Sequence, residues 1–94
     1  MLPVHEEEGQ RGAFFIMHGS VRVAELTYSR ESPTLVIIDH VEVREELAGQ
    51  GIGHRLLAHA VEWARATNTK LLSSCPFVTR QFLKEPERYA DVLG

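Results

Sequence analysis

An internal disulfide is ruled out, because the 94 residues hold one cysteine, Cys75. A lone thiol suits a reducing, cytosol-like compartment, so a cytoplasmic location is expected. Also missing is any apolar run long enough to span a bilayer, and no membrane partner is expected. The opening Met1 to Glu8 shows no basic segment ahead of an apolar one, so it does not read as a secretory signal. Positive charge is scarce: ten Lys and Arg face thirteen Asp and Glu, a formal net charge of −3. Without a basic run to follow phosphodiesters, nucleic acid is disfavoured as a partner.

What is present is ordinary for a globular domain, with 44% hydrophobic and 24% charged residues. The length allows one core and leaves little room for a second. A single domain over residues 1–94 is expected, with residues 1–12 as a flexible polar lead-in. Beta-formers alternate with polar residues over Ala13–Met17 and Ser20–Tyr28 around a His18-Gly19 turn, with an imperfect period near Ala24 that suggests a bulge. Thr34–Val43 reads as a central strand, apolar on both faces at its start. Later in this strand simple alternation puts Ile38, His40 and Glu42 on one face and Asp39, Val41 and Val43 on the other.

Ile52, Leu56, Leu57, Ala60, Val61 and Ala64 recur at helical spacing, which predicts a helix from Gly51 to about Ala66. Trp63 reads as packing on that helix. Thr67-Asn68-Thr69 ends it, and Lys70–Cys75 follows as a short strand. A strand, helix, strand order of this length implies parallel pairing through a right-handed crossover. Pro76 then suits the first position of a second helix, with Cys75 at or beside its N-cap, and Pro86 ends that helix. The residues Tyr89–Leu93 form a tail that packs back. The fold class is therefore α+β with an α/β-like half: a three-stranded antiparallel meander, a crossover helix, a parallel fourth strand and a terminal helix.

Between the central strand and the first helix lies Gly49-Gln50-Gly51-Ile52-Gly53-His54. Alternating glycines permit positive φ and close approach of a ligand, while the helix start offers unpaired N–H groups and the positive dipole end. An anion such as a phosphate or pyrophosphate is the natural guest. The dinucleotide fingerprint G-x-G-x-x-G fails, since His54 stands where the third glycine belongs. A P-loop fails too, because no Lys-Ser or Lys-Thr follows.

This turn resembles the acyl-coenzyme-A loop of the GNAT N-acetyltransferase superfamily, with Gly51 and Gly53 in place and Ala48 where that loop carries Arg or Gln. Together with Ile38-Asp39-His40-Val41-Glu42-Val43, Cys75-Pro76-Phe77-Val78 and Glu85-Pro86-Glu87-Arg88-Tyr89-Ala90-Asp91, it is similar to the short single-domain GNAT-like acetyltransferases of the YjdJ type. The likeness runs from about Ala13 to Leu93, with Arg88 as an extra residue. It implies a GNAT fold in which acetyl-coenzyme A lies in a gap between splayed parallel strands. Backbone groups of Val41 and Val43 would then pair with the pantetheine arm, and amides of Gly49, Gln50, Gly51, Ile52, Gly53 and His54 would hold the pyrophosphate.

Cys75 and His40 are the catalytic candidates. Cys75 at a strand end and helix start is either a nucleophile that carries the acetyl group or a small buried hydrophobe. His40 is either a base for Cys75 or for the incoming amine, or a histidine satisfied by its surroundings. Glu42 is a base acting through water or a solvated charge, and Tyr89 an acid toward the leaving thiolate or a packing residue. His54 and His59, five apart, share no helical face, so no metal is expected. Two functions stay open: an acetyl-coenzyme-A-dependent acetyltransferase for a small-molecule or peptide amine, working as a monomer or homodimer, and a non-catalytic coenzyme-A-binding module.

Overall fold

The computed structural model describes residues 2–94. Five strands form one sheet in sequence order: β1 (Val4–Glu8), β2 (Arg11–His18), β3 (Val21–Ser32), β4 (Leu35–Val43) and β5 (Lys70–Ser73). The first four pair antiparallel and β4 pairs parallel with β5. Helix α1 (Ile52–Thr67) makes the crossover, and α2 (Pro76–Lys84) and α3 (Pro86–Tyr89) follow β5.

The meander thus has four strands where three were expected, and the expected flexible lead-in contains β1. All five β1 residues are exposed, which is why their polarity reads as a lead-in. Their order comes from side chains reaching over the sheet. The His5 ring stacks on Phe14 with centroids 4.2 Å apart and meets the edge of Trp63 at 5.0 Å. Tyr28 Oη donates to Glu7 Oε1 at 2.7 Å, so the 2.7 Å contact from His5 Nε2 must supply the proton to Tyr28. Arg30 completes the clamp with a 2.9 Å ion pair to Glu7.

All three helices bury side chains in one core on one face of the sheet, called the inner face below. Ile52, Leu56, Leu57, Ala60, Val61 and Ala64 of α1 pack with Phe14, Ile16, Leu26, Tyr28, Val36, Ile38 and Leu71. Burying one such aliphatic side chain is worth roughly 1.5–3 kcal/mol. This stripe is therefore what fixes α1 across the sheet. Asn68, in the left-handed conformation at φ 55°, closes the helix and sends the chain into β5. At the far edge, Leu71 N–H donates to Val92 O and Gly94 N–H donates to Leu71 O, so the C-terminal tail covers β5.

Besides a shift next to the β3–β4 turn that leaves Glu31 unpaired between Arg30↔Val36 and Ser32↔Leu35, two bulges adjust the register. One leaves Val23 unpaired between Ile16↔Ala24 and Met17↔Arg22, beside the expected irregularity at Ala24. The other leaves Asp39 unpaired between Tyr28↔Ile38 and Thr27↔His40. This second bulge overturns the simple alternation expected for β4. Asp39, His40 and Glu42 share the outer face, whereas Ile38, Val41 and Val43 share the inner one.

Gly12 shows how tightly the inner face is filled: a Cβ there would lie 2.1 Å from Tyr28 Cζ. Gly12→Ala is expected to destabilise the protein by about 1–3 kcal/mol through displacement of that ring. Thermal unfolding should show a fall in Tm of roughly 4–8 °C per kcal/mol lost.

Candidate functional site

The parallel ladder between β4 and β5 runs from Leu35↔Lys70 to Ile38↔Ser73, with Ser74 N–H donating to Ile38 O at 2.9 Å. Beyond that point β4 continues to Val43, whereas the other chain turns into α2 at Pro76. The two strands therefore separate, with α1 starting beside the gap. A cleft of about 490 Å³ opens there on the inner face, lined by Val41, Val43, Leu47, Ala48, Gly49, Gly51, Ile52, Gly53, His54 and Phe77. Its volume is within the usual range for small-molecule sites.

The glycines have separate tasks. Gly49 at φ 81° and Gly51 at φ 72° take left-handed backbone conformations that L side chains resist. Gly53 is needed for space, since a Cβ there would lie 3.3 Å from the Phe77 ring and 3.6 Å from Val41. Gly51 is the N-cap of α1 and supplies no side-chain acceptor, and the first turn contains no acidic residue. The opening amides and the positive dipole end of a 16-residue helix are thus turned to the cleft without a competing carboxylate. His54 meets Phe77 edge-on at 5.0 Å and forms part of the wall.

Seven of the eight residues expected to hold a cofactor line this cleft: Val41, Val43, Gly49, Gly51, Ile52, Gly53 and His54. Gln50 is exposed and stands outside the lining. Sequence reasoning missed Leu47, Ala48 and Phe77 as wall residues. Phe77 carried a usable signal, as the apolar residue just after the Pro76 that starts α2 opposite the glycine turn. Leu47 lies in the short 3-10 helix Glu45–Leu47, whose presence has no periodic signature in so few residues.

Cys75 and His40 are not brought together. Cys75 is 5% exposed and belongs to the apolar core, while its backbone caps α2: Thr79 N–H donates to Cys75 O at 2.9 Å. Ser73 Oγ braces the same turn, accepting from Cys75 N–H at 3.1 Å and from Thr79 Oγ1 at 2.9 Å. The strand expected to reach Cys75 ends at Ser73 for this reason. His40 is half-exposed on the outer face, its Nε2 donating to Glu42 Oε1 at 3.1 Å. Glu25, directly across the strand pair from Glu42, completes a trio in which one His40 ring nitrogen and one carboxylate oxygen of each glutamate lie within 4.8 Å of one another. Glu25 was not singled out in the sequence, because cross-strand pairing depends on the bulge. Tyr89 packs in the core against Phe82 at 5.0 Å.

Asp39 fixes the bulge that separates these two sets. Thr27 Oγ1 donates to Asp39 Oδ1 at 2.6 Å, Ser29 Oγ to Oδ2 at 3.4 Å, and Arg11 forms an ion pair with the same carboxylate. Burial pushes the Asp39 carboxyl up, but the hydrogen bonds from Arg11, Thr27 and Ser29 outweigh it and hold it below the ordinary range.

No curated protein sequence matches the chain. A family model described as GCN5-related N-acetyl-transferase matches residues 13–92. The solution structure of a GCN5-like protein from Staphylococcus aureus is 32% identical, with 97% of this chain and 87% of that one covered at a TM-score of 0.66. Tetrahymena GCN5 shares the fold at 14% identity and a TM-score of 0.66, over 83% of this chain and 51% of its own. A ribosomal-protein-alanine N-acetyltransferase from Brucella melitensis biovar Abortus does so at 20% identity and a TM-score of 0.60, over 84% and 62%. The chain thus spans about half to two thirds of these last two.

Asp39→Ala should release the bulge. Hydrogen exchange of amides 40–43 is expected to accelerate, with a stability loss of about 1–2 kcal/mol given the partial exposure of the network. Because the folded-state pKa is depressed, this contribution is full above the ordinary Asp value of about 4 and is lost as pH falls through the lower folded value. The variant should lack that acid-side loss.

Proposed function

The chain belongs to the GCN5-related N-acetyltransferase family, and we propose that it transfers an acetyl group from acetyl-coenzyme A to the primary amine of a small-molecule or peptide acceptor. The observation that carries this reading is the cleft at the β4/β5 split, closed at one end by the uncapped start of α1. A pyrophosphate fits that end by charge and by donor number. An apolar arm fits the channel between Val41, Val43, Leu47 and Phe77, where backbone groups of β4 past the ladder are available as partners.

Direct transfer agrees better with the arrangement than a relay through Cys75. The thioester supplies an activated acetyl group; the protein positions it and handles the proton. His40 sits two residues past the last β4 residue paired with β5, on the face opposite the cleft. With Nε2–H held by Glu42, the neutral imidazole keeps Nδ1 as its acceptor. An acceptor ammonium gives one proton to Nδ1, and Glu42 stabilises the imidazolium that results. The amine nitrogen then bonds to the acetyl carbon as the carbon–sulfur bond breaks. The second proton lost by nitrogen neutralises the thiolate, so amide, free thiol and one proton on His40 balance the reaction. Cys75 acts in this scheme through its backbone, as the cap of α2.

Titration calorimetry should detect coenzyme A binding to the protein, and Gly53→Val, which pushes a side chain at Phe77 and Val41, should weaken it at least about ten-fold. Absence of binding in the parent protein would contradict the assignment. Binding without acetylation of any polyamine, amino acid or lysine peptide would favour the non-catalytic coenzyme-A-binding module.

For the chemistry, His40→Gln is expected to lower kcat by about 10²–10⁴-fold in a steady-state assay at saturating amine. Cys75→Ala should keep most of kcat. Ping-pong kinetics with an acetyl group found on Cys75 would establish the covalent route instead.

A further inference from the structure

Resting on the coenzyme-A reading of the cleft, we propose that Arg80 seats the ribose 3′-phosphate of the donor and makes the protein select coenzyme A over its 3′-dephosphorylated form. The seat lies on the flank of α2 that borders the start of α1.

Placement follows from the helix. Val78, Gln81 and Phe82 are the residues that α2 buries. Phe77, Arg80 and Lys84 stand at i, i+3 and i+7, so they share one flank beside that buried stripe. Phe77 fixes where this flank points, because its ring lies in the cleft wall and meets His54 of α1 at 5.0 Å. A Cβ on Gly53 would come within 3.3 Å of the same ring. Arg80 is therefore one turn, about 4.5 Å of helix rise, from the residue that packs on the α1 start. Both Arg80 and Lys84 are exposed, on the rim and not in the core.

Charge pairing singles out the same flank. The chain carries ten Lys and Arg under an excess of acid. Arg11, Arg22, Arg30, Arg44, Arg65 and Arg88 each pair with a carboxylate. Lys70 donates to Asp91 O, and Arg55 is engaged as well. Among the described residues, Arg80 and Lys84 are the Lys and Arg side chains that have no protein partner. Helix α2 itself contains no acidic residue, and the next carboxylate, Glu85, is taken by Arg88 at 3.3 Å. In a protein of net charge −3, the unpaired positive charge is thus gathered beside the cleft end that suits an anion.

The donor supplies a group to match. With the pyrophosphate against the opening amides of α1, the ribose carries its 3′-phosphate one sugar further out. That phosphate is a terminal monoester, whose oxygens suit the planar fork of a guanidinium. The α1 amides would serve both forms of the cofactor alike, so discrimination between them falls to Arg80.

Titration calorimetry with coenzyme A and with 3′-dephospho-coenzyme A, at constant ionic strength, tests the seat. It is run on the parent protein, on Arg80→Gln and, as a control for the loss of one positive charge, on Arg88→Gln. The parent should bind coenzyme A at least about ten-fold more tightly than the dephospho form. Arg80→Gln should weaken coenzyme A about ten-fold, the size of one charge-assisted hydrogen bond, and hold the dephospho form within about two-fold. Its Tm should be unchanged, since the side chain is exposed and unpaired. Arg88→Gln should keep the preference. Equal affinities of the parent for the two ligands, a preference that survives in Arg80→Gln, or the same loss in Arg88→Gln overturns the seat while leaving the coenzyme-A reading in place. Failure of the parent to bind either ligand removes that reading itself.

Discussion

Asp39 carries a charge into the middle of a β-sheet face, and three neighbouring side chains, from Arg11, Thr27 and Ser29, are arranged around it. That network holds one extra residue in β4. Without the extra residue strict alternation would place Ile38 with His40 and Glu42, turning either the core or the polar trio to the wrong side. With it, Ile38, Val41 and Val43 stay on the apolar face, and His40 and Glu42 stand beside Glu25 on the wet one. A polar contact on the outer face thus determines which residues line a cleft on the inner face.

The cleft depends equally on backbone economy in the glycine turn. Gly49 and Gly51 permit the left-handed steps that bring the chain from the short 3-10 helix into α1, and Gly53 leaves room for Phe77 and Val41 to approach. The helix is anchored far from this turn by its buried stripe, so its first amides can remain unsatisfied by protein at little risk to the fold. Stability from α1 and ligand capacity at its start are contributed by different ends of one element. Cys75 has an analogous place at the start of α2, but there Ser73 and Thr79 occupy the polar groups and the core encloses the sulfur.

Features governed by local period were legible in the sequence. The apolar spacing of α1, the crossover into a parallel strand, Cys75 at a helix start and the irregularity near Ala24 all follow from short-range pattern. The glycine turn was legible as the lead into an uncapped helix start because its conformation is set by backbone freedom. What escaped depends on contacts distant along the chain. Strand β1 carries three consecutive glutamates and reads as solvated; it is ordered by His5 and Glu7 reaching Phe14, Trp63, Tyr28 and Arg30. The bulge at Asp39 has no signature in β4 itself, since its cause lies in β2 and β3. Because that bulge reverses the face of His40, a His40–Cys75 pair looked reasonable along the strand and is absent in space, and Glu25 stayed unnoticed.

The central claim is that β4 serves two substrates from its two faces, the acyl donor on the inner side and the amine on the outer. A crystal structure of the protein with coenzyme A tests it most directly. The account predicts the pyrophosphate against the amides at the start of α1, the pantetheine arm along Val41 and Val43, and Asp39 still bulged toward Arg11, Thr27 and Ser29. Coenzyme A seated on the outer face beside Glu25, His40 and Glu42, or a β4 strand that runs without its bulge when the ligand is bound, would contradict it.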